Sequence, residues 1–350
     1  SAAWATALAA PGGSHAFAST PERGSEYRSA LPAVGDDPLG FLGSFAETLQ
    51  SDPASFPIHV RGHPPLPVLL FWALEQVGLS GPYWAAAVMI AAGAAAVPAI
   101  MITARLLAGE AAARRAFPYL TLAPALVFVA VSADALFLGI TSWAVALLAL
   151  AVGQQRVGRA AALGAASGLA WGALPYLSYG LLPLGALAVT VLLARPVGIR
   201  VAAAARLSAL GAAALAAALV AVAFTAAGFW WFDGLAATHQ AWVAGRGSDR
   251  PYAYFLVASL ATLALLVGPA GAAGLARLRD TRLWRLVGAA LLGVLALDVS
   301  GFTRGEVERI WLPFAFWVVI AAAALHPQRH WLGAQVATGL ILEAVVWSAW

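Results

Sequence analysis

Five short clusters carry the residues that could do chemistry. Asp36-Asp37 lies between Gly35 and Pro38, a turn sequence that leads into an amphipathic stretch over residues 41–49. Paired carboxylates there can act as a general base or help hold a divalent cation; an N-cap in a solvated turn is the plain alternative. Next come His59, Arg61 and His63, immediately before Pro64-Pro65 and an apolar run. Two imidazoles and a guanidinium at headgroup depth suit phosphate recognition, or simply anchor the chain at the interface. Asp134 stands between the apolar stretches 127–132 and 135–140, where an ionisable group is a functional candidate unless it only caps the next helix. Trp231, in Phe229-Trp230-Trp231-Phe232-Asp233, and the following His239 could form a sugar platform, against an interfacial aromatic belt. Finally, Asp298, Arg304, Glu306, Glu308 and Arg309 lie in and beside residues 301–308, and Arg309 runs straight into Ile310-Trp311-Leu312-Pro313.

The elements that must position these groups cross a membrane. Of 350 residues, 62% are hydrophobic and 10% charged, which excludes an ordinary soluble enzyme. Apolar runs long enough to cross a hydrocarbon core of about 30 Å recur along the chain. Candidate spans cover 82–104, 116–133, 135–153, 160–177, 180–194, 207–228, 253–275, 284–299, 309–325 and 331–349. Residues 1–10 are apolar but only half a bilayer long, and are expected to be the end of a truncated first span. The expectation is thus an all-α polytopic membrane protein with about 11 transmembrane helices: the end of the first over 1–10, a long external loop with juxtamembrane helices over 11–81, and a helix bundle over 82–350. Within that loop, residues 11–20 read as loose chain, because Pro, Gly and Ser dominate them. There is no cysteine, hence no disulfide, thiolate metal site or cysteine nucleophile.

Orientation follows from the arginines, since the chain has no lysine. Alternate loops hold Arg105, Arg114 and Arg115, then Arg156 and Arg159, then Arg195, Arg200 and Arg206, then Arg277, Arg279, Arg282 and Arg285, then Arg329. The positive-inside rule makes that side cytoplasmic, provided that residues 65–81 do not cross. All five polar clusters then fall on the opposite, external face of a bacterial plasma membrane. The Arg-only, Ala- and Gly-heavy usage looks like a high-GC bacterium. Scattered arginines also exclude nucleic acid as a partner. The runs over 86–99 and 202–218 read as close-packing helix surfaces.

The chain contains no Walker loop, no dinucleotide-binding glycine pattern after a strand and no His-Glu-x-x-His. What it does resemble is the GT-C fold of membrane glycosyltransferases, nearest to the branch of protein mannosyltransferases and lipid A aminoarabinose transferases. The external Asp36-Asp37, His63-Pro64-Pro65-Leu66-Pro67, Ser132-Ala133-Asp134 and Glu308-Arg309-Ile310-Trp311-Leu312-Pro313 are similar to that branch's motifs in order and approximate spacing over most of the chain. The pattern also resembles actinobacterial membrane proteins of this type. His63 stands where the aminoarabinose branch has Lys.

The resemblance implies an inverting transfer of a sugar from a polyprenyl-phosphate donor to a glycan, lipid or protein hydroxyl, in a multi-pass protein whose active site faces outside. Carried over by motif, Asp36 or Asp37 is the general base, and Arg61, His63 and Arg309 hold the donor phosphate. His59, Asp134, Trp231, His239, Glu306 and Glu308 complete the substrate site. Magnesium, manganese or calcium could assist through Asp36, Asp37 and Asp134. The rival classes are a secondary transporter, which predicts repeats and midplane charges, and a non-catalytic scaffold, which would survive loss of Asp36-Asp37.

Overall fold

A computed structural model describes residues 1–345 except 131, 195, 199–201, 246, 327 and 328. The described residues form helices and no strand. The amino-terminal segment is built from short pieces: α1 (Ala2–Ala9), α2 (Gly13–Ser19), α3 (Leu31–Val34), α4 (Pro38–Ser51), α5 (Ile58–Arg61) and α6 (Leu66–Gln76). Then follow α7 (Pro82–Ala108), α8 (Glu110–Thr121), α9 (Ala133–Val152), α10 (Val157–Leu177), α11 (Gly185–Leu193) and α12 (Ala203–Ala226). The chain closes with α13 (Trp231–Ala244), α14 (Tyr252–Arg277), α15 (Thr281–Ser300), α16 (Val307–Ile310), α17 (Leu312–Val319) and α18 (Arg329–Val345).

Six helices, α7, α9, α10, α12, α14 and α15, are long and apolar enough to cross a membrane. They match six of the ten expected spans. The other four take different form. Residues 116–133 divide into the end of α8 and a 3-10 stretch beginning at Pro124, because proline brings no N–H to continue the ladder. Residues 180–194 join a 3-10 turn, Tyr179–Leu184, to α11, and residues 309–325 join α16, α17 and a 3-10 turn, Ile320–Ala324. The last expected span coincides with α18 as far as residue 345, and its remainder lies outside the described residues. Residues 11–20 are not loose: Ser14 to Ser19 belong to α2, whose Ala18 is buried. Helix α6 has 11 residues, a rise of about 16 Å, half of what a crossing needs.

Packing explains which helices face lipid. Between lipid-like side chains there is no hydrophobic drive, so close approach of backbones must supply the contact. On α10, Gly164, Gly168 and Gly172 recur every fourth residue, and a Cβ on any of them would run into the backbone of Ala209, Ala213 or Ala217 of α12. That seam holds α12 to the bundle while most of its surface stays exposed. At the opposite extreme, α17 is buried at every position. In α14 the ladder breaks at Gly268, whose φ is 73°, ahead of Pro269. Gln335 of α18 mends the break: its Oε1 accepts from Ala270 N at 3.2 Å and its Nε2 donates to Val267 O at 3.2 Å.

Contacts across the bundle sort the loops into two ends. Arg115, Arg277, Arg279 and His326 share one cavity, and Arg282 and Arg285 share another with Leu107 and Leu193. The opposite end carries the amino-terminal segment, the start of α9, α13 and residues 301–310, joined by the bonds described next.

Candidate functional site

At that opposite end, Arg309 is the hub. It occupies the last turn of the four-residue α16, two residues before the buried Trp311, so the chain forces its cation to the entrance of α17. Only 5% of Arg309 is exposed, and an isolated charge there would cost several kcal/mol in order of magnitude. Three chain segments supply partners. Arg309 Nη1 donates to Asp134 Oδ2 at 2.8 Å, Nη2 donates to Glu306 Oε2 at 2.7 Å, and Nη2 lies 3.1 Å from His59 Nε2. Because the guanidinium has only donors, His59 Nε2 accepts. The other ring nitrogen of His59 lies 3.0 Å from Glu26 Oε1. His63 Nδ1 donates to the carbonyl of His59 at 2.8 Å, which leaves its Nε2 as a lone-pair nitrogen.

Local structure fixes each member. Asp134 sits in the first turn of α9, where the helix dipole favours a carboxylate, and Ser132 caps that helix by accepting from Asp134 N at 3.1 Å and donating to its carboxylate at 3.1 Å. Glu306 is the one non-glycine residue with positive φ among the described residues, at 60°. Such a conformation is uncommon for a side chain other than Asn, Asp or Gly, and here it turns the Glu306 carboxylate onto both Arg309 and Arg250, the latter at 3.2 Å. Burial opposes the charge on Glu306, but the Arg309 and Arg250 guanidinium groups together outweigh that and hold its carboxyl below the usual range.

A ring cluster covers the network from the amino-terminal side. Tyr27, 2% exposed, meets His63 edge-on at 5.5 Å and stacks on Phe71 at 6.4 Å, with His59 at 6.2 Å. Burial raises the Tyr27 hydroxyl well above its ordinary range, and that hydroxyl has no hydrogen-bond partner among the described residues. Burial has the opposite effect on His63 and lowers it to about 4, so the imidazole is neutral at physiological pH. Arg61, two residues after His59 on α5, has a buried Nε without a hydrogen-bond partner and forms no ion pair among the described residues.

The sequence candidates therefore separate. Arg309, Asp134, Glu306 and His59 meet directly, and His63 joins through His59. Glu308, half-buried, lies beside Arg309 in α16. His239 belongs to an adjoining layer: it stacks near Trp242 at 6.4 Å and meets Phe302 edge-on at 5.5 Å. Arg304 lies 5.3 Å over both Trp242 and Tyr252, and Arg250 donates to its carbonyl. Trp231 points elsewhere, donating to Pro175 O at 2.9 Å with its ring against Tyr179. Asp36 and Asp37 are exposed in the turn before α4; Asp37 Oδ1 accepts from Gly40 N at 2.8 Å, while Gly35 O accepts from Trp72 Nε1 at 2.9 Å. Asp36, Asp37 and Asp134 do not gather as a metal-binding cluster among the described residues, because Asp134 is taken up by Arg309 and Ser132.

Sequence reasoning missed Glu26 and Tyr27, which close the network from the amino-terminal segment. The available signal was Glu26-Tyr27-Arg28, two opposite charges around an aromatic; Arg28 pairs with Glu75 of α6 at 2.9 Å. Comparison with protein-family profiles, curated proteins and solved structures finds no match for this chain.

Proposed function

We propose that this chain is a GT-C type glycosyltransferase of a bacterial plasma membrane, which moves a sugar from a polyprenyl-phosphate donor to a hydroxyl of a glycan, lipid or protein on the external face. In this reading the chain crosses about eleven times, with the short α and 3-10 pairs completing the crossings. The carrying observation is a pair of unspent donors, the Arg61 guanidinium and the Tyr27 hydroxyl, on the segments that also deliver His59 and Glu26 to a buried Arg309 hub. A leaving phosphate needs donors held in advance at the level of the headgroup, and a network that locks their neighbours provides that.

The residues divide the labour as follows. Arg309 spends its charge on Asp134 and Glu306, so it positions His59 and the start of α17, and Arg61 takes the phosphate. Neutral His63 offers a lone pair at Nε2, which suits a sugar hydroxyl better than a phosphate oxygen. Asp36 is exposed, whereas Asp37 spends one oxygen on its helix, which makes Asp36 the acceptor base of choice. The acceptor oxygen attacks the anomeric carbon as the carbon–oxygen bond to phosphate breaks. Its proton passes to Asp36, the bonding electrons leave with the polyprenyl phosphate, and the configuration inverts. The transporter reading would look to the break in α14, but Gln335 already takes up the freed backbone groups there.

Polyprenyl phosphate, the part common to every such donor, is the probe. In nanodiscs the protein should bind it in preference to polyprenol, and Arg61→Ala should weaken binding at least tenfold, with Arg61→Lys no rescue, as expected when a bidentate contact is lost. Asp36→Asn should keep that binding and lower sugar transfer by about 100- to 10,000-fold. Equal binding of polyprenol and polyprenyl phosphate would refute the proposal.

A further inference from the structure

The end of the bundle opposite the Arg309 network holds a cavity of about 210 Å³ between α8, the connection from α14 to α15, and the chain after α17. Arg115, Arg277 and Arg279 line it with His326, over a floor of the buried Leu278, Leu283 and Leu325. None of the three arginines has an ion-pair partner among the described residues, and Arg115 Nε is buried without a hydrogen-bond partner. Acids at this end are already committed. Glu110 accepts from Arg114 Nε at 2.7 Å, with Arg105 at 4.0 Å, and Asp280, the one carboxylate lining the cavity, caps α15 by accepting from Arg282 N at 2.8 Å and Leu283 N at 3.4 Å. The Arg277 guanidinium lies 5.7 Å over the Trp331 ring, a flat support that fixes a cation without neutralising it.

We propose that this cavity is a binding site for a phosphate ester, in the first instance the headgroup of an anionic phospholipid in the leaflet at this end of the bundle. Three arginines that line one cavity without an ion-pair partner, against the single carboxylate of Asp280 among the described lining residues, leave it with an excess of positive charge that an external anion would balance, and guanidinium matches phosphate oxygens two at a time. The apolar floor suits a lipid better than a free ion. By the arginine excess this is also the cytoplasmic end, where anionic lipids concentrate. The site lies on α8, α14 and α15 rather than on the segments that build the Arg309 network, so it stands or falls apart from the proposed transfer reaction.

The test is native mass spectrometry of the full chain in neutral detergent, titrated with phosphatidylglycerol and, separately, phosphatidylcholine. One phosphatidylglycerol should be retained in clear preference to phosphatidylcholine. R115Q/R279Q should lower its affinity at least tenfold. R156Q/R159Q, which removes the same charge at the exposed start of α10 at the same end, should change it less than twofold. R279K, which keeps the charge at an exposed position and leaves α8 untouched, guards against misfolding of the double variant and should lose affinity by a smaller factor. Inorganic phosphate and short-chain phosphatidylglycerol are then added as competitors: stronger competition by the lipid assigns the site to a headgroup, and equal competition assigns the same site to a soluble phosphate. Equal losses in the two double variants would reduce the effect to diffuse surface charge and overturn the proposal, as would equal retention of phosphatidylcholine.

Discussion

The Arg309 network and the Asp36-Asp37 turn both bring carboxylates to the same end of the molecule, yet they are opposite in construction. Arg309 is tied to Asp134, 175 residues earlier in the chain, and to His59, 250 residues earlier, all three buried. The bond made by Asp37 reaches three residues and lies in the open. A buried charge set persists only if each member is answered by another, so loss of one member should strand the rest. An exposed carboxylate in a turn carries no such obligation, and in the proposed reaction it is the one left for chemistry. The contrast separates residues that hold the site from residues free to act in it.

The sharpest way to break that contrast is Asp134→Ala. It leaves the buried Arg309 with Glu306 and His59 only, and should lower stability by about 3 to 5 kcal/mol. Thermal unfolding in detergent measures this. The double variant Asp134→Ala/Arg309→Met should recover a large part of the loss, because it removes the stranded charge as well. If the single variant is as stable as the parent, the network is not the strut described above.

A smaller effect sharpens the picture through pH. Unfolded, His63 takes a proton near its ordinary value of 6.5; folded, it does so at about 4. Between those values the unfolded chain binds more protons, so stability is fully present above pH 6.5 and falls as pH drops towards 4. The whole drop is on the order of 3 kcal/mol. Subtracting the profile of His63→Gln from that of the parent isolates it from the carboxylates that titrate nearby. Coincident profiles would show that His63 is not held neutral by its burial.

Much of this was legible in the sequence, for reasons that can be located. Long apolar runs gave α7, α9, α10, α12, α14 and α15, because the bilayer thickness imposes a length that composition alone reveals. Asp134, His59, Glu306 and Arg309 stood out because an ionisable group beside an apolar run is costly wherever it points. Their mutual pairing was hidden, since nothing local links position 134 to position 309. Glu26 was overlooked because its neighbourhood has loop composition, and only the long-range partner His59 gives it a role. The unbroken spans expected over 116–133 and 309–325 gave way for a different reason: hydropathy cannot see that Pro124 starts a 3-10 turn or that residues 320–324 tighten into one.

The smallest expected effect discriminates most finely, because it lies within the exposed pair itself. Asp37 occupies the N-cap of α4, and its Oδ1 satisfies Gly40 N, one of the helix's unpaired first-turn donors. Asp37→Ala should therefore cost about 1 kcal/mol, by the usual worth of such a cap. Asp36, one residue earlier, caps nothing and is exposed, so Asp36→Ala should change stability by less than about 0.5 kcal/mol, as is common for surface substitutions. On sugar transfer the order inverts if Asp36 is the base, with Asp36→Ala the more damaging change. Asp37→Asn is the control, since an amide oxygen caps about as well as a carboxylate and should restore the lost stability. Denaturation midpoints and transfer rates on the same four preparations give the answer. Opposite rank orders in the two measurements uphold the division between a capping and an acting carboxylate, and the same rank order in both would abolish it.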